Sequence, residues 1–305
     1  MFKTYIAEGR EYFLWDDTKK DFPFPESLLR FLRLDLLEID QVLKRMAKAI
    51  EEYYSTREER CLQVVEAGLD ELAAVHVYFE FVRYDWQQKL DAARAWKEED
   101  GGYLMDLLPR KELTRIVSYA AEMQQQILAL FAAVLDKDGP KMPVEQYYSS
   151  TRRMTYEFAP LTIQYELTDA GVFADALYPA SLYDLIDFSL CNCLKRGARM
   201  RVCKNCGRYF AQTGKGGAEY CDITTFENGR TCKDVGAMRI YTRNKRGNGV
   251  FNEYRREYKR RFAWIKSGRL DPAAFYAWSA EAREKEAECE RGELSFEEFK
   301  RWLDR

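Results

Sequence analysis

The chain has 305 residues, of which 47% are hydrophobic and 14% aromatic, so it is long enough for several domains and too apolar to be disordered throughout. Its longest apolar run, residues 127–135, is far shorter than the roughly 20 residues that a membrane span needs. The first residues lack the apolar core of a secretory signal, so we expect a cytoplasmic protein whose eight cysteines are reduced.

Helical periodicity dominates the part of the chain before residue 136. Apolar residues recur every three or four positions over 25–54 and over 67–96, and a third such segment follows Pro109. Each segment predicts one amphipathic helix, which gives three or four helices in this part. The only histidine, His76, lies on an apolar face, which is typical of a hydrogen-bonded core residue.

The pattern changes between residues 144 and 178 to β-branched and aromatic residues in approximate alternation. MTYEF at 154–158 and LTIQYEL at 161–167 predict two short strands, with a hairpin as one arrangement. The next segment, ASLYDLIDFSLCNCLKR, predicts a helix that Gly197 closes as a C-cap. This helix leads directly to the first pair of thiols.

Four cysteines then follow with the spacing C-x2-C-x14-C-x10-C, namely Cys203, Cys206, Cys221 and Cys232. Four thiolates satisfy Zn²⁺ in a tetrahedral site, and a two-residue spacer lets one tight turn direct two sulfur atoms at one ion. Gly207 suits such a turn because it tolerates positive φ. Residues 213–217, TGKGG, are typical of a hairpin tip, and we expect Cys232 to open a helix.

Two other interpretations of these thiols are ordinary buried cysteines and a redox pair. A redox CxxC needs a thioredoxin-like βαβ setting, which the sequence lacks, and it would leave Cys221 and Cys232 unexplained. His76 is too distant for a mixed site, so we predict a closed four-cysteine zinc site with a structural role. The remaining thiols, predicted as core residues of helices, are Cys61, Cys191, Cys193 and Cys289.

Charge is strongly segregated along the chain. Residues 195–269 carry 20 Lys and Arg against 6 Asp and Glu, whereas residues 1–194 have a net charge of −12. Such a basic block with interleaved aromatic residues is typical of a surface that binds phosphate backbones. The candidate phosphate contacts are Arg239, Arg243, Lys245, Arg246, Arg255, Arg256, Lys259 and Arg260. The alternative is a solvated helix face that offsets the acidic part, within one chain or across a dimer.

Two similar segments lie near the end of the chain. GRLDPAAFYAW at 268–278 and GELSFEEFKRW at 292–302 share the pattern G-x-L-x4-F-x2-W. Asp271 and Ser295 occupy the N-cap positions of two predicted short helices. We expect these units to pack through the pairs Phe275 with Trp278 and Phe299 with Trp302.

The run RVCKNCGRYF…EYCD…RTCKDVGAMRIY resembles the zinc-binding treble clef of CGNR-type zinc-finger proteins. It is more similar to an uncharacterised Firmicutes family that shares CxxCGRxF, the YCD step and a tCK-x-x-G ending, over residues 180–305. This resemblance implies a DNA-binding, regulatory finger beside an N-terminal helical domain that senses a ligand. The implied metal ligands are Cys203, Cys206, Cys221 and Cys232. The signature differs, because Lys-Asp-Val follows Cys232 where CGNR-type proteins have Gly-Asn-Arg.

We therefore predict a mostly α protein with three parts. Residues 1–178 form an acidic helical domain with short strands in a β-hairpin, 179–248 a treble-clef-like zinc finger with four cysteine ligands, and 249–305 a basic helix with two short helical units. The predicted function is that of a zinc-containing protein that binds nucleic acid, DNA in the first place, with a regulatory role. The alternative is a zinc-stapled module that docks on an acidic protein surface.

Enzymatic chemistry has little to build on in this sequence. It contains one His and no Ser-His, Cys-His or G-x-S-x-G arrangement. A nuclease that uses Asp and Glu to hold metal ions is a third hypothesis. We expect no membrane partner, and the sequence is compatible with a homodimer.

Overall fold

A computed structural model describes residues 1–97, 101–149, 155–168, 171–212, 217–224, 229–245 and 248–304, with the backbone alone at 243–245. The chain divides into two compact units. The first comprises Met1–Val202 and Arg208–Ala218, and the second Cys203–Gly207 and Glu219–Arg305. Whether residues 179–248 and 249–305 fold independently of each other stays a prediction.

Five strands of the first unit form one antiparallel sheet in the order β3-β2-β1-β5-β4. They are β1 (Lys3–Ala7), β2 (Arg10–Trp15), β3 (Thr18–Pro23), β4 (Ile163–Leu167) and β5 (Phe173–Leu177). Three of these strands lie in the first 23 residues, a segment without a predicted element. There β2 alternates, because Glu11, Phe13 and Trp15 are buried and the residues between them are not. The expected helical domain therefore contains a sheet rather than a lone hairpin.

A pair of strands exists in this region, but only one of the two segments predicted as strands forms one. β4 lies within LTIQYEL, and its partner is β5. In the MTYEF segment residues 155–158 form no strand, and Met154 lies outside the described residues. The reason is that the Tyr156 hydroxyl and the Ala159 backbone N–H both donate to the Asp187 carboxylate, at 2.5 and 3.0 Å. These bonds tie the segment to a helix and keep it out of the sheet.

Eight helices among the described residues complete the first unit. They are α1 (Glu26–Phe31), α2 (Leu36–Thr56), α3 (Glu59–Val75), α4 (Tyr78–Ala95), α5 (Leu104–Leu107), α6 (Arg110–Leu130), α7 (Val144–Ser149) and α8 (Leu182–Lys195). A π-helical turn, Phe131–Leu135, continues α6. Gly197 follows α8 with φ +58°, so the predicted C-terminal glycine is confirmed. The first unit also contains a two-stranded antiparallel sheet, formed by β6 (Met200–Val202) and β7 (Tyr209–Ala211).

Two of the three predicted helices of this part are in fact interrupted. The segment 25–54 is split between α1 and α2, where the Asp35 side chain accepts the Leu37 N–H and begins a new helix. The segment 67–96 is split at His76, which is extended at φ −152° and ψ 140°. Its Nε2 bonds the Ser27 carbonyl oxygen at 2.9 Å, and its Nδ1 accepts the Tyr78 N–H at 3.1 Å. His76 is thus the hydrogen-bonded core residue that the sequence predicts.

The described residues of the second unit form four helices, α9 (Cys232–Lys245), α10 (Gly249–Lys266), α11 (Pro272–Glu290) and α12 (Phe296–Leu303). Asp271 and Ser295 cap α11 and α12, as predicted, although α11 has 19 residues and is not short. The rings of Trp278 and Trp302 stack at 6.5 Å. Among the described residues, no helix combines the length and the apolar character needed to cross a membrane.

Candidate metal centre

Four thiols converge in the second unit. The Sγ atoms of Cys203, Cys206, Cys221 and Cys232 all lie within 4.8 Å of one another. The Sγ atoms of Cys206 and Cys221 are 3.7 Å apart. A tetrahedral ion with metal–sulfur bonds of about 2.3 Å requires sulfur atoms separated by about 3.8 Å. The four side chains therefore fit the ligand shell of one metal ion.

The first two ligands lie in a tight turn of the kind predicted for CKNCG. The Gly207 N–H donates to the Cys203 carbonyl oxygen at 2.9 Å, and Gly207 has φ +71°. Positive φ is disfavoured for residues with a Cβ, which explains the glycine. The Lys204 N–H donates to the Glu219 carbonyl oxygen at 3.0 Å. This bond fixes the second cysteine-bearing segment beside the turn.

Backbone N–H groups in and beside this turn stabilise the Cys203 thiolate. Burial raises the pKa of the Cys203 thiol, but N–H groups of Cys206, Cys221 and Asn205 outweigh it and lower that pKa to about 7. The Cys221 N–H lies 3.4 Å from the Cys203 Sγ. The Asn205 side-chain amide donates to the Cys232 Sγ at 3.2 Å. Since the thiolate is the form that binds metal, these donors favour metal binding at Cys203, whereas burial raises the pKa of the Cys221 thiol and opposes it there.

The fourth cysteine of the cluster, Cys232, is the first residue of α9, as predicted. The Thr231 hydroxyl accepts the Asp234 N–H at 3.3 Å, and the Thr231 N–H donates to the Asp234 carboxylate at 2.8 Å. This reciprocal pair is a capping box, and its sequence signal is T-x-x-D. The Thr231 N–H and hydroxyl both donate to the Asp234 carboxyl, and these two hydrogen bonds lower its pKa. The cap fixes where α9 begins, and so where the Cys232 sulfur lies.

Gly236 is a residue of the site whose role the sequence does not reveal. It is buried on α9, and a Cβ at this position would lie 2.2 Å from a ring carbon of Tyr220. Tyr220 directly precedes the third ligand, Cys221. The missing side chain therefore lets α9 pack directly on the residue beside that ligand.

We expect Gly236→Ala to destabilise the second unit by about 1–3 kcal/mol, because overpacking forces the Tyr220 ring to move. Denaturant unfolding of the zinc-loaded protein measures this change. In a Tyr220→Ala background the same substitution should instead stabilise by about 0.5–1 kcal/mol, since alanine is the better helix former. Gly249→Ala is the matched control, because its Cβ would meet Phe296 at an ordinary 3.7 Å. Equal losses in both backgrounds would contradict the packing argument.

The predicted phosphate contacts divide into described and undescribed residues. Four of them are exposed on α10, namely Arg255, Arg256, Lys259 and Arg260. Arg239 is exposed on α9, the side chains of Arg243 and Lys245 lie outside the described residues, and so does Arg246 entirely. The predicted hairpin tip at 213–217 is undescribed except for Gly217.

The neighbouring Arg261 has a structural role instead. It donates to the Glu257 carboxylate at 2.8 Å and to the Leu303 carbonyl oxygen at 3.0 Å. Its guanidinium lies 4.5 Å from the centre of the Trp278 ring, in a cation–π contact. Arg261 thus joins α10 to α11 and α12, which separates it from the exposed cations of the same helix.

The first unit has a cleft of about 320 Å³ between α4, α6 and the start of α8. Trp86, Ile116 and Leu182 supply apolar lining. Lys89 binds the carboxylates of Asp85 and Glu112 at 2.8 and 2.7 Å. The size and lining suit a small molecule. A ligand-sensing role for this unit stays a prediction.

Comparison with known proteins places the thiol site inside a family. Residues 149–304, about half of the chain, match the model of DUF6076, described as a family of unknown function. No curated protein and no solved structure matches the chain. The matched region contains all four clustered cysteines and helices α9 to α12. The resemblance to an uncharacterised family is thereby supported, whereas the CGNR type and the treble clef stay predictions.

Proposed function

The chain belongs to DUF6076, a family of unknown function, and we propose that it is a zinc-containing protein that binds nucleic acid, DNA in the first place, with a regulatory role. In this proposal the metal holds the second unit together and α10 contacts the phosphates. Four thiolates fill a tetrahedral shell, so no position is open for a reacting water, and the ion is structural.

The exposed cations of α10 are the observation that carries this proposal. Arg255, Arg256, Lys259 and Arg260 fall within two helical turns, where residues three or four apart are neighbours on the surface. Arg256 and Arg260 pair with Glu253 and Glu257 of the same helix. The Arg256 pair faces solvent and contributes little to stability. Arg260 is held more firmly, because Glu257 is buried and also binds Arg261.

The other two cations have no acidic partner on the described part of the chain. Arg255 and Lys259 are exposed, and no ion pair joins either to a described carboxylate. They lie four residues apart, about one helical turn. A row of uncommitted cations on an exposed helix is suited to a phosphate backbone, where each contact releases a bound counterion.

The salt dependence of binding tests the role of α10. We expect wild-type protein to bind a fluorescent duplex DNA with an affinity that falls steeply as salt rises. Arg255→Glu/Lys259→Glu should weaken binding at least ~10-fold and reduce the slope of log K against log salt by about 2. Fluorescence anisotropy over a salt series measures both quantities.

The matched control has the same change of charge elsewhere in the second unit. Arg291→Glu/Arg301→Glu reverses two exposed arginines on the acidic C-terminal part of the chain. This variant should keep the wild-type slope within about one unit. Equal effects of both double variants, or no binding by the wild type at low salt, would contradict the proposed site.

A protein-interaction module is the second candidate, and the outer face of α9 favours it. Met238 is 70% exposed and Tyr241 50% exposed, beside the exposed Ala237. An apolar helix face suits a protein better than phosphates. Under this alternative, zinc staples the unit and α10 docks on an acidic protein surface. Capture of the same partner before and after nuclease treatment of a lysate would favour this candidate over the first.

A further inference from the structure

The two edges of the five-stranded sheet differ in how they are protected. At one edge, β3 exposes Lys19, Lys20 and Asp21 and ends at Pro23, which are features that block pairing with another strand. At the other edge, β4 has the sequence IQYEL with no lysine and no proline. Within the described part of the chain, β4 has β5 on one side and no strand on the other. An unprotected edge of this kind pairs readily with a further strand.

The register shows which backbone groups face the open edge. The Thr168 N–H donates to the Val172 carbonyl oxygen at 2.8 Å, and the Tyr178 N–H to that of Thr162 at 3.5 Å. Hydrogen-bonded pairs alternate along an antiparallel ladder, so the even-numbered residues of β4 bond to β5. The N–H and C=O groups of Ile163, Tyr165 and Leu167 therefore point away from the sheet.

The hairpin of β4 and β5 exposes large apolar side chains near its turn. Tyr165 is 80% exposed, Leu167 61% and Phe173 73%. Leu167 and Phe173 are directly opposite each other, so the three side chains lie on one face. They share this face with Ile163, which packs against the main core. The apolar face of the sheet thus extends beyond the part that the core covers.

We propose that β4 pairs antiparallel with β4 of a second copy of this chain, with Tyr165 on the two-fold axis. In this register Tyr165 exchanges two backbone hydrogen bonds with the partner's Tyr165. On each side of the axis, Ile163 of one copy exchanges two backbone hydrogen bonds with Leu167 of the other. All outward-facing groups of the strand are then satisfied, and the two sheets become one continuous sheet.

The side chains of β4 are complementary to themselves in this register. A two-fold axis brings the same surface of both copies together, so a strand must match its own reverse. Ile163 lies opposite Leu167 and Tyr165 opposite Tyr165, which makes one face apolar. On the other face Gln164 lies opposite Glu166, whose carboxylate already accepts the Lys3 ammonium and the Tyr178 hydroxyl of its own chain. An unrelated peptide strand would have no reason to produce this symmetry.

Sedimentation equilibrium across a concentration series tests the proposal. We expect wild-type protein to form a reversible dimer. Tyr165→Lys places two like charges opposite each other and removes the aromatic pair, so the dimer dissociation constant should rise at least ~100-fold. Tyr165→Pro should have the same effect, because it removes an N–H that faces the edge and bonds nothing in β5. Circular dichroism verifies that both variants fold.

Tyr103→Lys is the matched control, since Tyr103 is another exposed tyrosine of the first unit, at 78%. It should leave the dissociation constant unchanged. Wild-type protein that stays monomeric up to about 100 μM would overturn the proposal. A dimer that persists unchanged in both Tyr165 variants would place the interface elsewhere and overturn it as well. The proposal does not depend on nucleic-acid binding, which is measured separately.

Discussion

The Cys232→Ser protein should lose stoichiometric zinc and the folded structure around α9. Cys232 is both a member of the thiol cluster and the first residue of that helix, so in the proposed site its sulfur would connect the metal to the helical part of the second unit. Structural Zn²⁺ in small four-ligand domains contributes about 10–16 kcal/mol of apparent binding free energy, and this energy is also folding energy. A site with three thiolates and the serine hydroxyl would retain only a fraction of this free energy.

Metal analysis of purified protein measures the loss, with one zinc per chain expected for the wild type. Limited proteolysis should then cut Cys232→Ser, or chelator-treated wild type, between the third and fourth cysteines. Cys289→Ser is the matched control, because Cys289 is a thiol of the same unit outside the cluster. Wild-type zinc content and affinity in Cys232→Ser would refute the four-thiolate site. Bound iron instead of zinc would keep the ligands and correct the metal.

The clustering of the four thiols was predictable in part, because the geometry of the CxxC turn and of the start of α9 is local. A CxxC turn needs only a two-residue spacer and a residue that accepts positive φ, and Gly207 supplies the latter at +71°. The start of α9 is equally local, since Thr231 and Asp234 form their cap within four residues. Residue types at short separation carried this information. The Tyr220–Gly236 contact was not readable, because nothing in the sequence pairs a particular ring with a particular glycine.

The strand pairing of the five-stranded sheet, by contrast, is not specified by local sequence patterns. β1 pairs with β5, which brings Thr4 opposite Leu177, and no short-range pattern specifies such a pairing. The turn between β1 and β2 did leave a local signal in Gly9, at φ +73°, just before the alternating segment of β2. The helix break at His76 has a related cause, since its hydrogen bond to the Ser27 carbonyl oxygen, distant in sequence, overrides the apolar periodicity that runs through this residue. Periodicity thus identified helical regions correctly and their breaks poorly.

A buried acid and the buried His76 share a partner in the core of the first unit. The Ser27 hydroxyl and N–H donate to the Glu11 carboxyl, and the Ser27 carbonyl oxygen bonds His76. Burial raises the pKa of Glu11 to about 7, against a reference value of 4.5. Burial lowers the pKa of His76 to about 4, against a reference value of 6.5. Both groups are therefore uncharged in the folded state between these limits.

The stability contributed by the two groups changes with pH in opposite directions. The Glu11 contribution is complete below pH 4.5 and is lost as pH rises through 7, because the folded state then ionises a buried acid. The His76 contribution is complete above pH 6.5 and is lost as pH falls through 4. Between pH 4.5 and 6.5 the pair holds one proton in both folded and unfolded chains. Its two slopes cancel there.

Substituting one residue of the pair should reveal how the stability contributed by the other residue changes with pH. Relative to wild type, Glu11→Gln should gain about 3 kcal/mol of unfolding free energy as pH rises from 4.5 to 7. His76→Gln should lose a similar amount relative to wild type as pH rises from 4 to 6.5. Denaturant unfolding at half-unit pH steps measures both differences, and exposed Glu8→Gln controls for loss of an acidic charge nearby. Because the expected slopes have opposite signs, parallel curves for the two variants would show that the pair does not titrate as this buried geometry requires.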